Sequence, residues 1–92
     1  MQDYGLVSII TPNWNCANLI LETIRSVKAQ TYPNWEIIIV DDCSTDNSNK
    51  VVESYMAEDG RIRFLKNDKN FGAALSRNYA LREAKGRWIA FL

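Results

Sequence analysis

Runs of apolar, largely β-branched residues alternate along the chain with stretches in which apolar residues recur every three or four positions. The first pattern predicts buried strands and the second predicts amphipathic helices. Strands are predicted over residues 6–11, 35–40, 61–65 and 87–92. Helices are predicted between them, over about residues 16–30, 45–58 and 72–85. This alternation favours an α/β fold with a parallel sheet, right-handed crossovers and helices covering both faces.

The same pattern predicts where these elements end and which side chains they bury. Pro12 is expected to end the first strand, because proline lacks a backbone N–H. Asn15 is a candidate N-cap for the first helix, as Ser44 or Thr45 is for the second, and Gly86 is the candidate C′ residue after the third. The helix residues expected to face the core are Ile20, Ile24 and Val27, followed by Val52, Tyr55 and Met56.

Three polar loops follow the first three predicted strands, over residues 12–15, 41–44 and 66–72. Ligands of open parallel sheets bind at the carboxyl ends of the strands, so these loops are the candidate binding region. The first loop contains no glycine, and neither of the usual glycine-rich phosphate-binding motifs is present there. A dinucleotide-dependent enzyme and a P-loop NTPase are therefore disfavoured.

An aromatic residue in the first loop is a candidate for contacting a nucleobase. Trp14 could stack on a base, although packing over the first helix is an equally good interpretation. Pro12 would fix the backbone beside it. Both residues are therefore candidates for the wall of a base pocket.

Charged residues supply the other candidate contacts. Asp41 and Asp42 point to opposite sides of an extended chain, so one could support the turn while the other faces the cleft. A carboxylate in the cleft would suit the N3–H of uracil, yet a solvated Asp-rich turn is the simpler explanation of the pair taken alone. Arg77 could contact diphosphate oxygens, or it could be an exposed helix charge or the partner of an acidic side chain.

Composition excludes several classes of function. The 92 residues carry 11 basic and 11 acidic side chains, so charge does not suggest a nucleic-acid-binding surface. The absence of histidine removes Ser-His and Cys-His catalysis and the commonest transition-metal ligand. Cys16 and Cys43 match no zinc or redox spacing, and we expect free thiols in a reducing cytosol. With no predicted secretory signal or membrane-spanning run, we expect one cytoplasmic domain over residues 1–92.

Several segments, taken in order, resemble the motifs of glycosyltransferase family 2. Residues 7–15, VSIITPNWN, are similar to V-S-I-I-x-P-x-Y-N, with Trp14 in place of tyrosine. Residues 26–32, SVKAQTY, match S-(I/V/L)-x-x-Q-(T/S)-(Y/F), and residues 36–46, EIIIVDDCSTD, match a V-D-D-G-S-T-D segment with Cys43 in place of glycine. The later matches are N-x-G at 70–72, the R-N-x-A-L segment within 76–81, and G-R-W-I-x-F-L at 86–92. Each motif is weak alone, but the ordered set covers nearly the whole chain.

The resemblance implies the A-type glycosyltransferase fold, a Rossmann-like sheet of which this chain is the N-terminal, nucleotide-binding part. The residues implied to bind the nucleotide are Pro12, Trp14, Asp42 and Arg77, with Asp42 on the uracil. The residues implied to support the turn are Asp41 and Ser44. Cys43 lacks the conformational freedom of the glycine it replaces, which matters if the turn requires positive φ.

The resemblance also implies an activity that this stretch would not complete. The family transfers a sugar from a nucleotide sugar, commonly a UDP-sugar, to the hydroxyl of a glycan or lipid-linked acceptor, as in bacterial polysaccharide biosynthesis. Mg²⁺ or Mn²⁺ would neutralise the diphosphate, but its aspartate ligands and the general base are expected downstream of Leu92. We therefore expect a truncated fragment that binds nucleotide, lacks catalytic and metal-binding residues, and transfers no sugar alone.

Two other interpretations differ in class. A phosphoacceptor receiver domain would require acidic residues after the first strand and an aspartate directly after the third, where the chain has Pro-Asn-Trp and Lys-Asn-Asp. A non-catalytic fragment could instead self-associate through the exposed edge of the last predicted strand. A nucleotide titration separates this second interpretation from nucleotide binding.

Overall fold

The computed structural model describes residues 2–92 and contains four strands and three helices in the predicted order. The strands are β1 (Val7–Asn13), β2 (Trp35–Asp41), β3 (Ile62–Lys66) and β4 (Trp88–Phe91). The helices are α1 (Ala17–Lys28), α2 (Ser48–Glu58) and α3 (Ala73–Glu83). Every strand pairing is parallel, and the strands lie in the order β3-β2-β1-β4. The predicted parallel α/β fold is confirmed.

The central strand β2 separates two hydrophobic layers. Alternate side chains of a strand point to opposite faces of the sheet. Ile37 and Ile39 pack in the layer that contains the buried residues of α1 and α2. Ile38 and Val40 pack in the layer that contains Ala80 of α3. The strand β2 is buried at all seven positions and lies between β3 and β1 in the sheet.

The core-facing positions of α1 are those that its periodicity predicts, since Ile20, Ile24 and Val27 are all buried. In α2 the prediction holds for Val52 and is wrong for Met56, which is 36% exposed. The packed side of α2 runs through Ser48, Val51, Val52 and Tyr55, so Met56 lies at its outer margin.

Asn15 does not cap α1. The N-cap position belongs to Cys16, which makes no side-chain cap hydrogen bond. Asn15 instead adopts a φ of 49°, and its Oδ1 accepts hydrogen bonds from the backbone N–H groups of Thr45 at 2.7 Å and Asp46 at 3.2 Å. A side chain predicted to satisfy its own helix therefore joins two loops.

The predicted caps of α2 and α3 are also wrong. Asn47 is at the N-cap position of α2, and Ser44 and Thr45 lie before it in a longer loop. The helix α3 ends at Glu83 and continues into extended backbone, so Gly86 is not its C′ residue. A Cβ on Gly86 would lie 2.6 Å from the backbone nitrogen of Ser8, so the glycine permits the connection to β4 to approach β1 closely.

The strand β1 continues through Pro12 to Asn13, so the predicted end at Pro12 is wrong. Successive residues of a parallel strand direct their backbone groups to alternate neighbours. The carbonyl of Ile10 accepts from Leu92 N on the β4 side, and that of Asn13 accepts from Asp42 N on the β2 side. Pro12 therefore faces the β4 side just beyond the end of β4, where its missing N–H costs no ladder hydrogen bond.

The strand β4 pairs with β1 along one edge only, within residues 2–92. Its side chains Trp88, Ile89 and Phe91 are exposed. The exposed apolar strand that the sequence predicts is therefore present, and self-association through it stays a prediction.

Candidate functional site

The loops after β1, β2 and β3 meet at the carboxyl edge of the sheet. The Asn13 carbonyl accepts from the N–H of Asp42 at 2.8 Å, and the Asp42 carboxylate accepts from N–H groups of the third loop. The strands β2 and β3 lie on one side of β1, and β4 lies on the other. Such a change in winding direction opens a crevice beside the strand ends, and the loops described here border it.

Asp41 and Ser44 hold the turn after β2. Asp41 is buried, and its Oδ1 accepts from the Ser44 hydroxyl at 2.6 Å and from Asn13 Nδ2 at 3.1 Å. Its Oδ2 accepts from the Ser44 N–H at 2.9 Å. The Ser44 hydroxyl also accepts from the N–H of Asn15 at 3.0 Å, which fixes the turn against the loop after β1.

Cys43, between the two, adopts a φ of 64°, so the turn does require a left-handed residue. A residue with a Cβ is disfavoured there by about 1–2 kcal/mol, while glycine gains more freedom when unfolded. We expect Cys43→Gly to raise the free energy of unfolding by about 0.5–1 kcal/mol, corresponding to a few degrees in Tm. Urea denaturation followed by circular dichroism would measure the change.

The matched control is the other exposed thiol, Cys16, whose φ of −128° gives no strain to relieve. Cys16→Gly is expected to leave stability unchanged or slightly lower it. A Cys43→Gly variant no more stable than the parent protein would contradict the assignment of strain to this turn.

The Asp42 carboxylate is 4% exposed and surrounded by donors. Its Oδ1 accepts from Asn67 Nδ2 at 3.0 Å and from the N–H of Phe71 at 2.7 Å. Its Oδ2 accepts from the N–H of Gly72 at 2.9 Å and from Asn70 Nδ2 at 3.0 Å. A carboxylate has about four acceptor positions, so all of them are in use.

Burial and hydrogen bonding act on the Asp42 carboxyl in opposite directions. Burial raises its pKa, but the hydrogen bonds from Asn67, Phe71 and Gly72 outweigh burial and lower the pKa below the ordinary value. The positive end of the α3 dipole lies at the same amides and favours the same charge. Asp42 is therefore an ionised acceptor at neutral pH.

Trp14 is held by its polar edge. The Asn70 amide has one orientation that satisfies its neighbours: Nδ2 donates to Asp42, and Oδ1 accepts from Trp14 Nε1 at 3.1 Å. The opposite orientation would place the amide oxygen against the carboxylate. Trp14 remains 53% exposed, which leaves part of its ring surface free.

A cleft of about 200 Å³ brings the predicted nucleotide-binding residues together. Its lining residues are Pro12, Asn13, Trp14, Asp42, Ala73, Arg77 and Leu92. Arg77 is exposed and forms no salt bridge within residues 2–92, so its guanidinium has free donors. A larger groove of about 530 Å³ between the loop after β3 and α3 contains none of the predicted residues. The roles of Pro12, Trp14, Asp42 and Arg77 in binding stay predictions.

Three residues that the sequence did not single out support this cleft. Asn67 and Asn70 bind the Asp42 carboxylate, and Asn67 Nδ2 also donates to the buried Ser76 hydroxyl at 3.0 Å. Asn70 begins the N-x-G segment, which is a signal that could have been followed. Ser76 lies one helical turn before buried Ala80, and such a spacing of small residues indicates close packing of α3.

The oxygens of the adjacent aspartates are directed at donors of the protein itself. Within residues 2–92, no group of three or more Asp, Glu, Cys or His side chains is placed to hold a metal ion. The oxygens of Asp41 and Asp42 accept hydrogen bonds from amides and a hydroxyl instead.

A family model for glycosyl transferase family 2 matches residues 8–92. The chain belongs to glycosyltransferase family 2. It is 50% identical over 93 residues to the Escherichia coli UDP-Glc:alpha-D-GlcNAc-diphosphoundecaprenol beta-1,3-glucosyltransferase WfgD, covering all of this chain and 35% of that protein. It is 38% identical over 87 residues to glycosyltransferase GlyG of Streptococcus pneumoniae, covering 95% of this chain and 29% of that protein. The chain thus spans about a third of the length of these relatives.

Solved glycosyltransferases share the fold of this family 2 chain. The mannosyltransferase PcManGT of Pyrobaculum calidifontis, in complex with GDP-Man and Mn²⁺, superposes with a TM-score of 0.87 at 28% identity, over 96% of this chain and 27% of that one. TarS 1-349 of S. aureus, in complex with UDP, superposes with a TM-score of 0.86 at 32% identity, over 94% of this chain and 26% of that one. The A-type glycosyltransferase fold implied by the motifs is confirmed.

The helices were also compared with the requirements of a membrane-spanning segment. None of the three helices described here combines the length and the apolar character needed to cross a bilayer.

Proposed function

We propose that this chain binds the nucleoside diphosphate of a sugar donor in the cleft between Trp14 and Arg77, with UDP as the preferred nucleotide. The protein of which this chain is a part would transfer the sugar to a hydroxyl of a glycan or lipid-linked acceptor. This reaction would take place in the cytoplasm, as a step of polysaccharide biosynthesis. The observation that carries the proposal is the convergence of an aromatic wall, an ionised buried acceptor and a free guanidinium in one cleft.

The base would lie at the Asp42 end of this cleft. The ionised carboxylate accepts hydrogen bonds only, so it favours a base that presents an N–H, as uracil does at N3. Pro12 and Trp14 form the adjacent wall, and the free ring surface of Trp14 offers a stacking contact worth about 1–3 kcal/mol. The negative charge of Asp42 would in turn disfavour placing the diphosphate here.

The diphosphate would lie toward Arg77. Its guanidinium can donate two parallel hydrogen bonds to phosphate oxygens, and no carboxylate within residues 2–92 forms a salt bridge with it. The UDP complex of TarS supports UDP as the nucleotide. The name of WfgD, which specifies UDP-Glc and a diphosphoundecaprenol-linked sugar, supports a UDP-sugar donor and a lipid-linked acceptor. The Mn²⁺ of PcManGT supports a divalent cation in the intact enzyme, bound by residues outside 2–92.

We expect calorimetric titration of the chain with UDP, GDP, CDP and ADP to show binding, tightest for UDP, with and without Mn²⁺. Arg77→Met should weaken UDP binding about tenfold, because a charge-assisted hydrogen bond is worth about 1.5–3 kcal/mol and part of this is lost to solvent screening. Uridine, which has no phosphate, should bind both proteins equally.

The matched control is Arg82→Met, which removes an exposed arginine of the same helix outside the cleft. This variant should bind UDP as the parent chain does. Equal losses in the two variants would indicate a general charge effect and contradict the assigned position of the diphosphate. A folded chain that binds none of the four nucleotides would refute the proposed function for this chain.

A further inference from the structure

The Asn70 amide lies between polar groups of Trp14 and Asp42, two residues that line the cleft. Its Nδ2 donates to Asp42 Oδ2 at 3.0 Å, and its Oδ1 accepts from Trp14 Nε1 at 3.1 Å. One planar group thus presents an N–H beside a C=O, the same arrangement that uracil presents at N3–H and the neighbouring carbonyl. The acceptor and the donor that would recognise the base already hold a chemical equivalent of it.

We propose that the Asn70 side chain is an internal competitor for the nucleobase, occupying Asp42 and Trp14 in the free protein and leaving when the base binds. The inference rests on the proposed function, because it specifies how that cleft engages its nucleotide. It also assigns Trp14 a second role, as a hydrogen-bond donor to a base carbonyl through Nε1.

Of the four donors to Asp42, Asn70 is the one that can leave at the smallest structural cost. The N–H groups of Phe71 and Gly72 belong to the backbone that leads into α3, and their movement would displace the helix. Asn67 also donates to the buried Ser76 hydroxyl. Asn70 is exposed, and its rotation frees one acceptor position on Asp42 and the indole N–H of Trp14 together.

The exchange suits a uracil held with its N3 toward Asp42. The N3–H then replaces the Asn70 N–H, and a flanking carbonyl replaces the Asn70 oxygen, so the hydrogen bonds lost are recovered. Cytosine held in the same position would direct the N3 lone pair at the carboxylate and leave both with no proton to share. Removal of Asn70 should therefore favour UDP far more than CDP.

The first test is UDP titration of Asn70→Ala. If Asn70 keeps the base position closed about nine-tenths of the time, the apparent Kd is about tenfold above the intrinsic value, so Asn70→Ala should bind UDP about tenfold more tightly. In a Trp14→Phe background, which keeps an aromatic ring but lacks the donor, the same change should produce a smaller gain. Binding that is unchanged or weaker in folded Asn70→Ala would overturn the proposal.

Asn67→Ala is the matched control, because it removes the other side-chain amide on Asp42. Asn67 supports the carboxylate through Ser76, so its loss should weaken UDP binding. An increase in affinity equal to that of Asn70→Ala would mean that any loosening of the loop tightens binding, and would overturn the specific role of Asn70.

A ligand-free measurement separates failure of this inference from failure of the proposed function. In a ¹⁵N-labelled chain without nucleotide, Asn70→Ala should shift the indole N–H resonance of Trp14 and speed its exchange with water. The indole of Trp88, which donates to the Tyr4 carbonyl at 2.8 Å, should not change. An unaltered Trp14 signal overturns the competitor. A shifted Trp14 signal without UDP binding by either protein supports the Asn70 contact and refutes nucleotide binding.

Discussion

Asp42→Asn is expected to weaken UDP binding by about 30-fold or more and to destabilise the chain by about 2 kcal/mol. The substitution keeps the size of the side chain but replaces an acceptor by an NH₂ group. That group would face the N–H groups of Phe71 and Gly72 or the amide of Asn67, leaving a buried donor unsatisfied at a cost of about 1–3 kcal/mol. The base would lose its charged acceptor as well.

Calorimetric titration with UDP and urea denaturation would measure the two effects separately, with binding recorded where the variant is fully folded. The control is Asp68→Asn, which changes an exposed carboxylate in the same part of the chain. Asp68→Asn should resemble the parent protein in both measurements. If folded Asp42→Asn bound UDP with parental affinity, the base could not be held by this carboxylate.

Glu36→Gln should lower the free energy of unfolding by about 3 kcal/mol, at the lower end of the loss for breaking a buried ion pair, because Arg63 is partly exposed. Glu36 lies in β2 and is 6% exposed. Its Oε2 accepts from the Ser8 hydroxyl at 2.6 Å and the Lys85 N–H at 2.8 Å, and its Oε1 accepts from Arg63 Nη1 at 3.0 Å. One carboxylate thus joins β1, β2, β3 and the connection to β4.

The matched control is Glu53→Gln. Glu53 pairs with Lys66 at 2.9 Å, but both side chains are about half exposed, and exposed pairs contribute about 0–1 kcal/mol. Urea denaturation at neutral pH should therefore show a large loss for Glu36→Gln and a small one for Glu53→Gln. Equal losses would show that burial of Glu36 does not set its importance.

The loss caused by Glu36→Gln should also depend on pH. Burial raises the Glu36 pKa. Hydrogen bonds from Ser8, Lys85 and Arg63 lower it by more than burial raises it, so the folded-state pKa is below the ordinary value. The stabilisation is fully present above the unfolded-state pKa of about 4.3 and is lost as pH falls through the folded-state value. The difference in stability between the parent protein and the Glu36→Gln variant should thus be constant from about pH 6 to 8 and narrow below about pH 4. A difference that grew on acidification would contradict this sign.

The sequence predicted the elements whose burial is periodic. Ile20, Ile24 and Val27 recur at helical spacing, so the buried face of α1 follows from the local pattern. The isoleucine and valine residues of β2 are consecutive, so both faces of this strand are apolar and it is expected inside the sheet. Element ends were less predictable, because they depend on partners elsewhere in the chain. Asn15 is of a residue type that often caps helices, yet its side-chain oxygen accepts hydrogen bonds from N–H groups of a loop 30 residues later.

Polar contacts across the fold account for what the sequence did not predict. Glu36 precedes an isoleucine run as an apparently ordinary strand residue, and its partners lie in β1, in β3 and in the connection to β4. Similarly, the motifs implied that Asp42 contacts the base, and only the folded loop shows Asn70 beside it. Residue type indicates which atoms can bond, but the pairing is a property of tertiary structure.

The strand order has a consequence for a chain that is synthesised from its N-terminus. Because β1 pairs with β4, Val7 meets Trp88, and most of the sequence must be translated between the two partners. The strands β1, β2 and β3 can pair earlier, but the backbone groups on the other edge of β1 then remain unpaired until β4 is made. A ribosome that pauses before Trp88 would hold a nascent chain with an open β1 edge, on which any other extended segment can pair.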